Sequence, residues 1–340
     1  MKKEYKELLI REATVEDAKQ LCAWWNDGTV MEHAGFPNGL GKTVEEIRKL
    51  LEDKISGNIQ NNQKYMIFYQ NNPIGEMNYF EIDKKTCEIG IKICDPSYQN
   101  KGFGKIILSL FMESLYEMGY QKIVLDTNLR NTRAQHVYEQ LGFRKVRVNV
   151  DSWKDQLGNI QSSVDYECTK ESFVSYLEYM TVNDMKYRVI KLLGHGKGGY
   201  SYLVEKDKQV YVLKQIHHEP CDYYTFGNKI EAERNDYERL MKIGIRMPKM
   251  IDIDIQNERI LKEYIHGDTM DVYAKNNQMK DIFLKQVKDM AQLVKNAGLN
   301  IDYYPTNFVV QDDVIYYIDY ECNEYMDEWN FDNWGIKYWK

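Results

Sequence analysis

The chain has 340 residues, of which 43% are hydrophobic and 29% charged, and this length favours two domains. Its 45 basic and 52 acidic residues give a formal net charge of −7, which argues against a nucleic-acid binder with a broad basic face. The six cysteines include no CxxC pair, so neither a zinc ribbon nor a disulfide framework is indicated. No apolar run approaches the roughly 20 residues of a membrane span, and the charged first residues lack an apolar signal core. We therefore expect a cytoplasmic protein with no membrane partner.

The first hundred residues predict two helices and four strands. Cap patterns at Thr14 and Thr43 mark two helix starts, with Asp17 and Glu46 at the third helical positions. In chain order we predict a strand at 8–10, a helix to about 25, a loop at 28–42, a helix at 43–55, and a strand meander at 65–69, 74–82 and 86–94.

A glycine-rich turn follows the meander and opens an amphipathic helix. Its sequence is Gln99-Asn100-Lys101-Gly102-Phe103-Gly104-Lys105. A helix N-terminus has unpaired N–H groups and a dipole that favours negative charge. Gly102 and Gly104 let the backbone approach a phosphate, and Lys101 and Lys105 add positive charge. The turn therefore predicts an anion site, the alternative being an ordinary loop before a surface helix.

Further elements complete the first half. The helix after the turn should end at Gly119, which fits the C′ position. We then predict a strand at 122–127, a helix at 131–141 and strands at 143–150 and 163–169.

This element order, together with two motifs, resembles the GNAT acetyltransferase superfamily over residues 7–170. Residues 99–104 match (Q/R)xxGx(G/A), and Asn131, Ala134, Tyr138 and the Gly142-Phe143 pair match N…A…YxxxGF. The resemblance implies a mixed β-sheet flanked by helices, in an α/β (α+β) domain that we assign to residues 1–178.

The resemblance also implies a cofactor and site residues. Acetyl-CoA would be the donor and an amine, on a small molecule or a protein, the acceptor. The backbone of Ile91 and Ile93 would pair with the pantetheine arm, and one of their amides would polarise the thioester carbonyl. Tyr138 would be the general acid. The residues expected to hold the pyrophosphate are Gln99, Lys101, Gly102, Phe103, Gly104 and Lys105.

Two assignments stay open at this point. Asn131 is either a cofactor contact or a helix N-cap. Glu88 is the nearest strand carboxylate and is our candidate for the general base, but it could also be a solvated strand charge, and a water relay is possible.

Residues 171–185 predict a short helix between two domains. Phe173, Val174, Leu177 and Met180 recur at helical spacing, and no flexible tether is present. We place the boundary near residue 183 and assign a second domain to residues 184–340.

The second half begins with a glycine-rich loop between two strands. Strands are predicted at 188–193, 200–205 and 210–216, and Gly194, Gly196 and Gly199 fit GxGxxG between the first two. Lys214 lies on the third strand. A helix at about 226–243 carries Glu233, which is spaced to pair with Lys214, and Glu231 is the fallback.

Downstream residues resemble the catalytic and metal loops of the protein-kinase-like superfamily. A strand at 259–263 and a helix at about 279–297 precede Asp302-x4-Asn307, and Asp319 ends a short hairpin. The resemblance is closest to the aminoglycoside phosphotransferase and RIO-like branches and implies a minimal bilobal kinase-like fold. Asn307 and Asp319 would hold Mg²⁺ against ATP, and Asp302 would orient an acceptor hydroxyl. Gly194, Gly196, Gly199, Lys214 and Glu233 would bind the nucleotide.

The second half also departs from the kinase pattern. Asn300 stands where the family usually has His, Asp319-Tyr320-Glu321 lacks the Gly of DFG, and 21 residues follow Asp319. These departures bear on phosphoryl transfer more than on ATP binding.

Three functional hypotheses follow from the two resemblances. The first is a bifunctional acetyltransferase and kinase-like phosphotransferase, as in enzymes that modify aminoglycosides, an analogy of architecture alone. The second is a protein or peptide acetyltransferase whose C-terminal domain is a regulatory, nucleotide-binding pseudokinase. The third is a binding module with neither activity.

Overall fold

The structure is a computed structural model that describes residues 1–55, 62–219 and 227–339. The chain separates into two units, Met1–Glu178 and Tyr179–Lys340. Cys221 and the predicted helix start at residue 226 lie outside the described residues. Within the described residues, no helix has both the length and the apolar character needed to cross a membrane.

The first unit is built on one mixed sheet with the order β1-β2-β3-β4-β5-β6-β8-β7. All neighbouring strands are antiparallel except β5 and β6, which run parallel. The strands are β1 Lys2–Tyr5, β2 Leu8–Glu12, β3 Asn62–Tyr69, β4 Asn72–Asp83, β5 Thr86–Ile93, β6 Lys122–Asn128, β7 Arg144–Lys154 and β8 Ile160–Thr169. The predicted strands of this half are confirmed.

Five α-helices accompany this sheet in the described part of the unit. They are α1 Ala18–Asn26, α2 Gly28–Met31, α3 Val44–Ile55, α4 Phe103–Glu117 and α5 Thr132–Gln140. The predicted capping box joins Thr14 and Asp17, and Gly119 follows α4 with φ 108° as predicted.

The predicted loop at 28–42 is partly wrong, because it begins with α2 and a 3-10 turn, Glu32–Ala34. Asp27 explains the extra helix, since its carboxylate accepts a hydrogen bond from the Thr29 N–H at 2.8 Å and caps α2. Gly35 ends the 3-10 turn with φ 91°.

Helices cover both faces of the sheet. Met66 of β3 packs with Leu21 of α1 and Ile47 of α3. The adjacent side chain, Tyr65, points to the opposite face because side chains alternate along a strand. There it contacts Phe111 of α4, with ring centroids 5.3 Å apart.

Strands β5 and β6 pair over a short length only. Their register joins Thr86, Cys87 and Glu88 to Lys122, Ile123 and Val124. Beyond Glu88, β5 continues along β4 to Ile93 without pairing with β6. The edge of β5 that faces β6 is therefore open over its second half, and this opening positions the candidate site.

The predicted helix at 171–185 is wrong. The Val174 N–H donates to the Leu141 carbonyl at 3.0 Å, and the Tyr176 N–H donates to Ser109 Oγ at 2.9 Å. These tertiary hydrogen bonds use the amides that a helix would need. The segment then ends in β9, Tyr179–Val182, which belongs to the second unit.

The second unit contains an antiparallel sheet with the order β13-β14-β12-β11-β10-β9. Its other described elements are two small sheets, β15-β17-β18 and β16-β19, three α-helices, and the 3-10 helices Pro305–Asn307, Asp327–Trp329 and Gly335–Tyr338. The strands are β10 Met185–Gly196, β11 Gly199–Lys206, β12 Gln209–Ile216, β13 Met250–Asp254, β14 Arg259–Glu263, β15 Asp268–Thr269, β16 Leu299–Ile301, β17 Phe308–Gln311, β18 Val314–Tyr317 and β19 Cys322–Glu324; the helices are α6 Lys229–Lys242, α7 Met270–Lys275 and α8 Asp281–Asn296.

The predicted long helix is confirmed as α8. Its apolar stripe, Phe283, Val287, Met290 and Val294, is buried as the helical spacing requires. The predicted glycine-rich loop is shorter than expected, because β10 runs to Gly196 and pairs with Gly199 of β11. Only two residues, 197 and 198, lie between these strands.

Candidate active site

A cavity of about 830 Å³ lies in the first unit where β5 and β6 diverge. Its walls come from α2 and the 3-10 turn after it, from β4, β5 and β6, from the turn before α4 with the first turns of that helix, from α5, and from Trp153 of β7. Two of the predicted site residues in this unit, Glu88 and Lys101, do not line it. The predicted residues that do line it are Ile91, Ile93, Gln99, Gly102, Phe103, Gly104, Lys105, Asn131 and Tyr138.

The turn before α4 presents an uncapped helix N-terminus to this cavity. Gly102 is the N-cap with φ 81°, and no side chain caps the helix. A methyl group added at Gly102 would have no atom within 4 Å, so the space above the turn is open. The first N–H groups of α4 are thus available to an anion, as the sequence predicts.

Two side chains hold this turn in shape. Gln99 Nε2 donates to the Ile93 carbonyl at 2.8 Å. Arg133 on α5 donates to Gln99 Oε1 and to Asn100 Oδ1, both at 3.2 Å. Arg133 lines the cavity but was absent from our sequence prediction. The signal in the sequence that could have pointed to Arg133 is its position two residues after the motif residue Asn131.

The two lysines of the turn differ in position. Lys105 lines the cavity, and its Nζ lies 4.5 Å from the centre of the Tyr176 ring. Lys101 Nζ lies 5.8 Å from the Tyr98 ring centre, outside the cavity lining. Phe103 anchors the turn against Tyr69, with ring centroids 4.9 Å apart.

Tyr138 is buried among aromatic rings. Its ring lies 5.8 Å from both Phe143 and Tyr166, and the residue is 7% exposed. Burial, with a contribution from the charge of Asp126, raises the pKa of Tyr138 to about 12. No residue of the described chain forms a hydrogen bond with its hydroxyl. The phenol is therefore protonated and free to donate.

Asn131 is a helix cap that also lines the cavity. Its Oδ1 accepts from the Ala134 N–H at 3.2 Å, and its Nδ2 lies 3.5 Å from Thr127 Oγ1. The N-cap alternative is thus the one observed, with Asn131 among the cavity residues.

Three carboxylates surround the divergence of β5 and β6. Glu88 is exposed, and desolvation together with Asp126 and Asp165 raises its pKa. Asp126 on β6 is exposed as well, but it lines the cavity, and desolvation and the charge of Asp165 raise its pKa. Our sequence prediction missed Asp126, which lies on β6 two residues beyond Val124, the register partner of Glu88.

Glu76 is a second cavity carboxylate that the sequence did not reveal. It is 3% exposed and accepts from Lys64 Nζ at 2.7 Å, Lys92 Nζ at 3.3 Å and Trp25 Nε1 at 2.9 Å. Burial alone would raise the pKa of Glu76, but the two ammonium groups outweigh this effect and lower it. Glu76 is therefore a fixed anion rather than a base.

The second unit brings the predicted Lys214 and Glu233 into an ion pair. Lys214 Nζ also lies 3.7 Å from Asp319 Oδ1. Burial would lower the pKa of Lys214, but Glu233 and Asp319 raise it above its ordinary value. The fallback residue Glu231 is exposed. Glu233 Oε2 is buried and has no hydrogen-bond partner in the described chain.

The loops that carry Asp302, Asn307 and Asp319 are hydrogen-bonded together. The Ile318 N–H donates to the Asn307 carbonyl at 2.9 Å, and Asn307 Nδ2 lies 3.4 Å from the Asp302 carbonyl. Burial would raise the pKa of Asp319, but Lys214 and Lys262 lower it. These contacts keep the three predicted residues on neighbouring loops.

Lys262 on β14 is a further buried cation that sequence reasoning missed. It is 5% exposed, its Nζ lies 3.2 Å from the Ile318 carbonyl, and it stands 4.0 Å from the Tyr320 ring centre. Burial and the charge of Lys214 lower the pKa of Lys262 to about 8.

The glycines of the hairpin have different surroundings. Methyl groups added at Gly194 and Gly196 would have no atom within 4 Å, whereas one at Gly198 would lie 3.5 Å from Lys214 Nζ. A methyl group at Gly199 would lie 2.4 Å from the Gln215 carbonyl oxygen, so close strand packing accounts for this glycine.

Comparisons with known proteins bear on the first unit. Residues 7–144 match a family described as "Acetyltransferase (GNAT) domain". Over 73 residues, 22% of this chain, the sequence is 32% identical to a [ribosomal protein bS18]-alanine N-acetyltransferase of Haemophilus influenzae. The chain spans about half the length of this curated relative, 49%.

Two solved structures show weaker similarity to this chain. A spermidine N-acetyltransferase from Vibrio cholerae, in complex with CoA and spermine, has 22% identity and a TM-score of 0.44, covering 49% of this chain and 97% of that one. A GNAT-family acetyltransferase from Bacillus anthracis has 21% identity and a TM-score of 0.43, covering 50% and 99%. From the family match, the N-terminal half of the chain contains, over residues 7–144, a GNAT acetyltransferase domain.

Proposed function

We propose that the protein transfers the acetyl group of acetyl-CoA to an amine. The observation that carries this proposal is the cavity itself. It combines the open edge of β5, the uncapped N-terminus of α4 and a protonated, buried Tyr138. The open edge of β5 suits an extended arm, the N-terminus of α4 suits a pyrophosphate, and Tyr138 suits a leaving thiolate that needs a proton.

The donor fits the residues present. The N–H groups at the start of α4, with Lys105 and Arg133, would hold the pyrophosphate. The backbone of Ile91 and Ile93 would pair with the pantetheine arm, and one of these amides would polarise the thioester carbonyl. The open space above Gly102 leaves room for phosphate oxygens.

Tyr138 and Asp126 would carry the proton transfers. Tyr138 would protonate the departing thiolate, because its raised pKa keeps the phenol protonated. Asp126 would take the proton from the amine, since it lines the cavity and a raised pKa makes it a better base. Glu88, our sequence-based candidate, is the competing base one strand away.

The acceptor should be a protonated amine before it reacts. The carboxylates of the cavity are Glu32, Glu76 and Asp126, and only Glu76 is neutralised by two lysines. Either a small-molecule amine or a protein N-terminus meets this requirement. The curated relative is named for a ribosomal alanine, which makes a protein amine a candidate worth testing first.

The test is mass spectrometry of amine and peptide panels incubated with acetyl-CoA, followed by two matched variants. Asp126→Asn should lower turnover by about 10²–10⁴-fold, the usual contribution of an acid–base group, whereas Glu88→Gln should stay near wild type. The reverse result would restore Glu88 as the base. Wild-type protein that acetylates no amine and binds no acetyl-CoA would refute the proposal.

For the second unit we propose a small kinase-like fold that binds Mg-ATP. Support comes from the antiparallel sheet followed by a helical part, the Lys214–Glu233 ion pair and its proximity to Asp319. The buried, unpartnered Glu233 Oε2 and the open space beside Gly194 and Gly196 fit a polar ligand. Asn307 and Asp319 would hold Mg²⁺, which would offset the negative charge of the phosphates.

Two roles for this unit are compatible with nucleotide binding. One is phosphoryl transfer to an aminoglycoside-like acceptor, oriented by Asp302. The other is regulation without turnover. It is favoured by Asn300, which stands where the resembled family usually has His and whose Nδ2 donates a hydrogen bond to the Met326 carbonyl at 2.7 Å.

The five described cysteines form no disulfide, which is consistent with a reducing compartment such as the cytoplasm.

Mg-ATP titrations of Asp302→Asn and Asp319→Asn separate these roles. Asp319→Asn should weaken Mg-dependent ATP binding steeply, whereas Asp302→Asn should leave binding intact and abolish only transfer. ATP consumption by wild type with and without acceptors then decides between phosphotransferase and regulator. Equal loss of affinity in both variants would mean that the loop is misassigned, and no ATP binding at millimolar nucleotide would refute the kinase-like proposal.

A further inference from the structure

Two histidines and a carboxylate converge beside the glycine-rich hairpin of the second unit. His195 lies on β10, and His217 and Glu219 follow the end of β12. Their ligand atoms all lie within 4.8 Å of one another. None of the three belongs to the candidate sites described above.

Two of the three distances between these atoms match those in the coordination shell of a small cation. His195 Nε2 lies 3.2 Å from His217 Nε2 and 3.4 Å from Glu219 Oε2. Tetrahedral zinc with bonds of about 2.0–2.1 Å places its ligand atoms roughly 3.3–3.4 Å apart. Two imidazole Nε2 atoms at this distance either share one proton or bind a common cation. Imidazole and carboxylate together suit zinc.

We propose that His195, His217 and Glu219 bind one zinc ion, with water in the fourth position. The ligands are already oriented by a neighbour. The Tyr200 hydroxyl donates to Glu219 Oε1 at 2.5 Å, and its ring stacks on His195 with centroids 4.3 Å apart and planes inclined by 7°. Such outer contacts fix ligand direction and are a usual part of metal sites.

Zinc at this position ties the hairpin to the segment after β12. The turn at residues 197–198 comes directly after β10, which carries His195. Lys229 at the start of α6 already joins the same two segments, donating to the Lys197 carbonyl at 2.8 Å and to the His217 carbonyl at 3.3 Å. A methyl group at Gly198 would lie 3.5 Å from Lys214 Nζ. The metal would therefore hold the hairpin closed over Lys214, and it does so whether or not the unit binds nucleotide.

Coordination changes the hydrogen bonds of His217 in a way that can be measured. Its Nε2 lies 2.9 Å from the Gly196 carbonyl, and its Nδ1 accepts from the Glu219 N–H at 3.2 Å. Zinc bound to His217 Nε2 takes the lone pair of that nitrogen, so the ring proton of His217 must lie on Nδ1. The Glu219 amide then loses its acceptor, and its hydrogen exchange should accelerate even as the hairpin becomes more protected.

The experiment uses the full chain, stripped with a chelator and titrated with Zn²⁺ against a competing indicator. His195→Ala and His217→Ala should each weaken zinc binding by at least 10–100-fold, the loss typical of disturbing even the outer contacts of a metal. His218→Ala is the matched control, because this adjacent imidazole pairs with Glu258 at 2.7 Å instead. It should bind zinc like wild type.

A second measurement needs no variant and so does not depend on folding of the mutants. Zn²⁺ should protect His195 and His217 of the wild-type chain from diethylpyrocarbonate, as read by mass spectrometry, while His218 reacts as before. Equal zinc affinity in all three variants, or equal protection of the three histidines, would overturn the proposal. Zinc binding is read without acetyl-CoA or ATP, so failure here is distinct from failure of the proposed function.

Discussion

Replacing Tyr138 with phenylalanine separates its proposed chemistry from its packing. The substitution removes one hydroxyl that makes no hydrogen bond within the described chain. The ring remains between Phe143 and Tyr166. Since no buried partner is left unsatisfied, the free energy of unfolding should change by less than about 1 kcal/mol. Any large effect on activity would then come from the missing proton donor.

The expected loss of activity follows from the proposed role. A positioned general acid contributes about 10²–10⁴-fold, and each tenfold corresponds to about 1.36 kcal/mol, so the barrier should rise by roughly 3–5 kcal/mol. The loss should fall on kcat rather than on the KM for acetyl-CoA, because the hydroxyl acts on the leaving thiolate.

The pH profile gives an independent check on the same residue. A Tyr138 pKa of about 12 keeps the phenol protonated through any practical assay, so activity should show no alkaline decline from this group below about pH 11. Asp126 must be deprotonated to accept a proton, so activity should rise with pH through its pKa, which is raised above the ordinary value for Asp. The rising limb should disappear in Asp126→Asn.

Tyr166→Phe is the matched control. Its ring belongs to the same cluster, but its hydroxyl donates to Glu139 Oε1 at 3.1 Å, and the residue is not part of the cavity lining. Steady-state kinetics of both variants with acetyl-CoA and an identified amine make the comparison. Near-wild-type kcat in Tyr138→Phe, or an equal loss in Tyr166→Phe, would refute the assignment of Tyr138 as the acid.

Two further predictions concern charge at the proposed ligand sites. Lys105→Glu should weaken acetyl-CoA binding in a salt-dependent manner and Lys101→Glu much less, because only Lys105 lines the cavity; calorimetry at two salt concentrations decides this, and equal losses would contradict it. Glu233→Gln should weaken Mg-ATP binding, because Lys214 loses its ion pair, while Glu231→Gln on the exposed face should not; equal effects in a nucleotide titration would contradict the pairing.

Long amphipathic helices were the most predictable elements of this chain. The apolar residues from Phe283 to Val294 recur every three or four positions, which predicts a helix and not a strand, whose side chains alternate with a period of two. The stretch at 171–178 had the same spacing, yet its amides bond to Leu141 and Ser109. Those partners are distant in sequence, so no local pattern could reveal them.

The sequence indicated the part of the candidate site that lies in one contiguous segment, but not the residues that the sheet brings together from distant segments. The turn at 99–105 is contiguous, and the sequence alone indicated an anion site there. Asp126 and Glu76 come from strands about fifty residues apart and meet only through the order β4-β5-β6. Gly199 illustrates a different limit, because GxGxxG does not separate a glycine that faces a ligand from one that lets two strands pack closely.

Lys262 offers a test of whether the second unit gives up stability for ligand binding. A folded-state pKa of about 8, below the ordinary value of 10.5, means that the unfolded chain binds more protons between these pH values, so stability should rise with pH across that window. Below pH 8 the charged form of Lys262 lowers the stability of the folded state by the full difference between these two pKa values, roughly 3 kcal/mol. Lys262→Met removes this cost but also loses the hydrogen bond to the Ile318 carbonyl, worth about 1 kcal/mol.

We therefore expect Lys262→Met to stabilise the second unit by about 2 kcal/mol at pH 7 and to lose this advantage near pH 10. The same variant should bind Mg-ATP more weakly if Lys262 faces the phosphates beside Lys214, because a buried cation that costs stability is commonly retained for function. Urea unfolding of the full chain, with hydrogen exchange in α8 reporting the second unit, measures the first effect. Lys249→Met, at an exposed lysine before β13, is the control. Destabilisation at pH 7, or a gain in stability that does not depend on pH, would show that burial does not disfavour the charged form of Lys262.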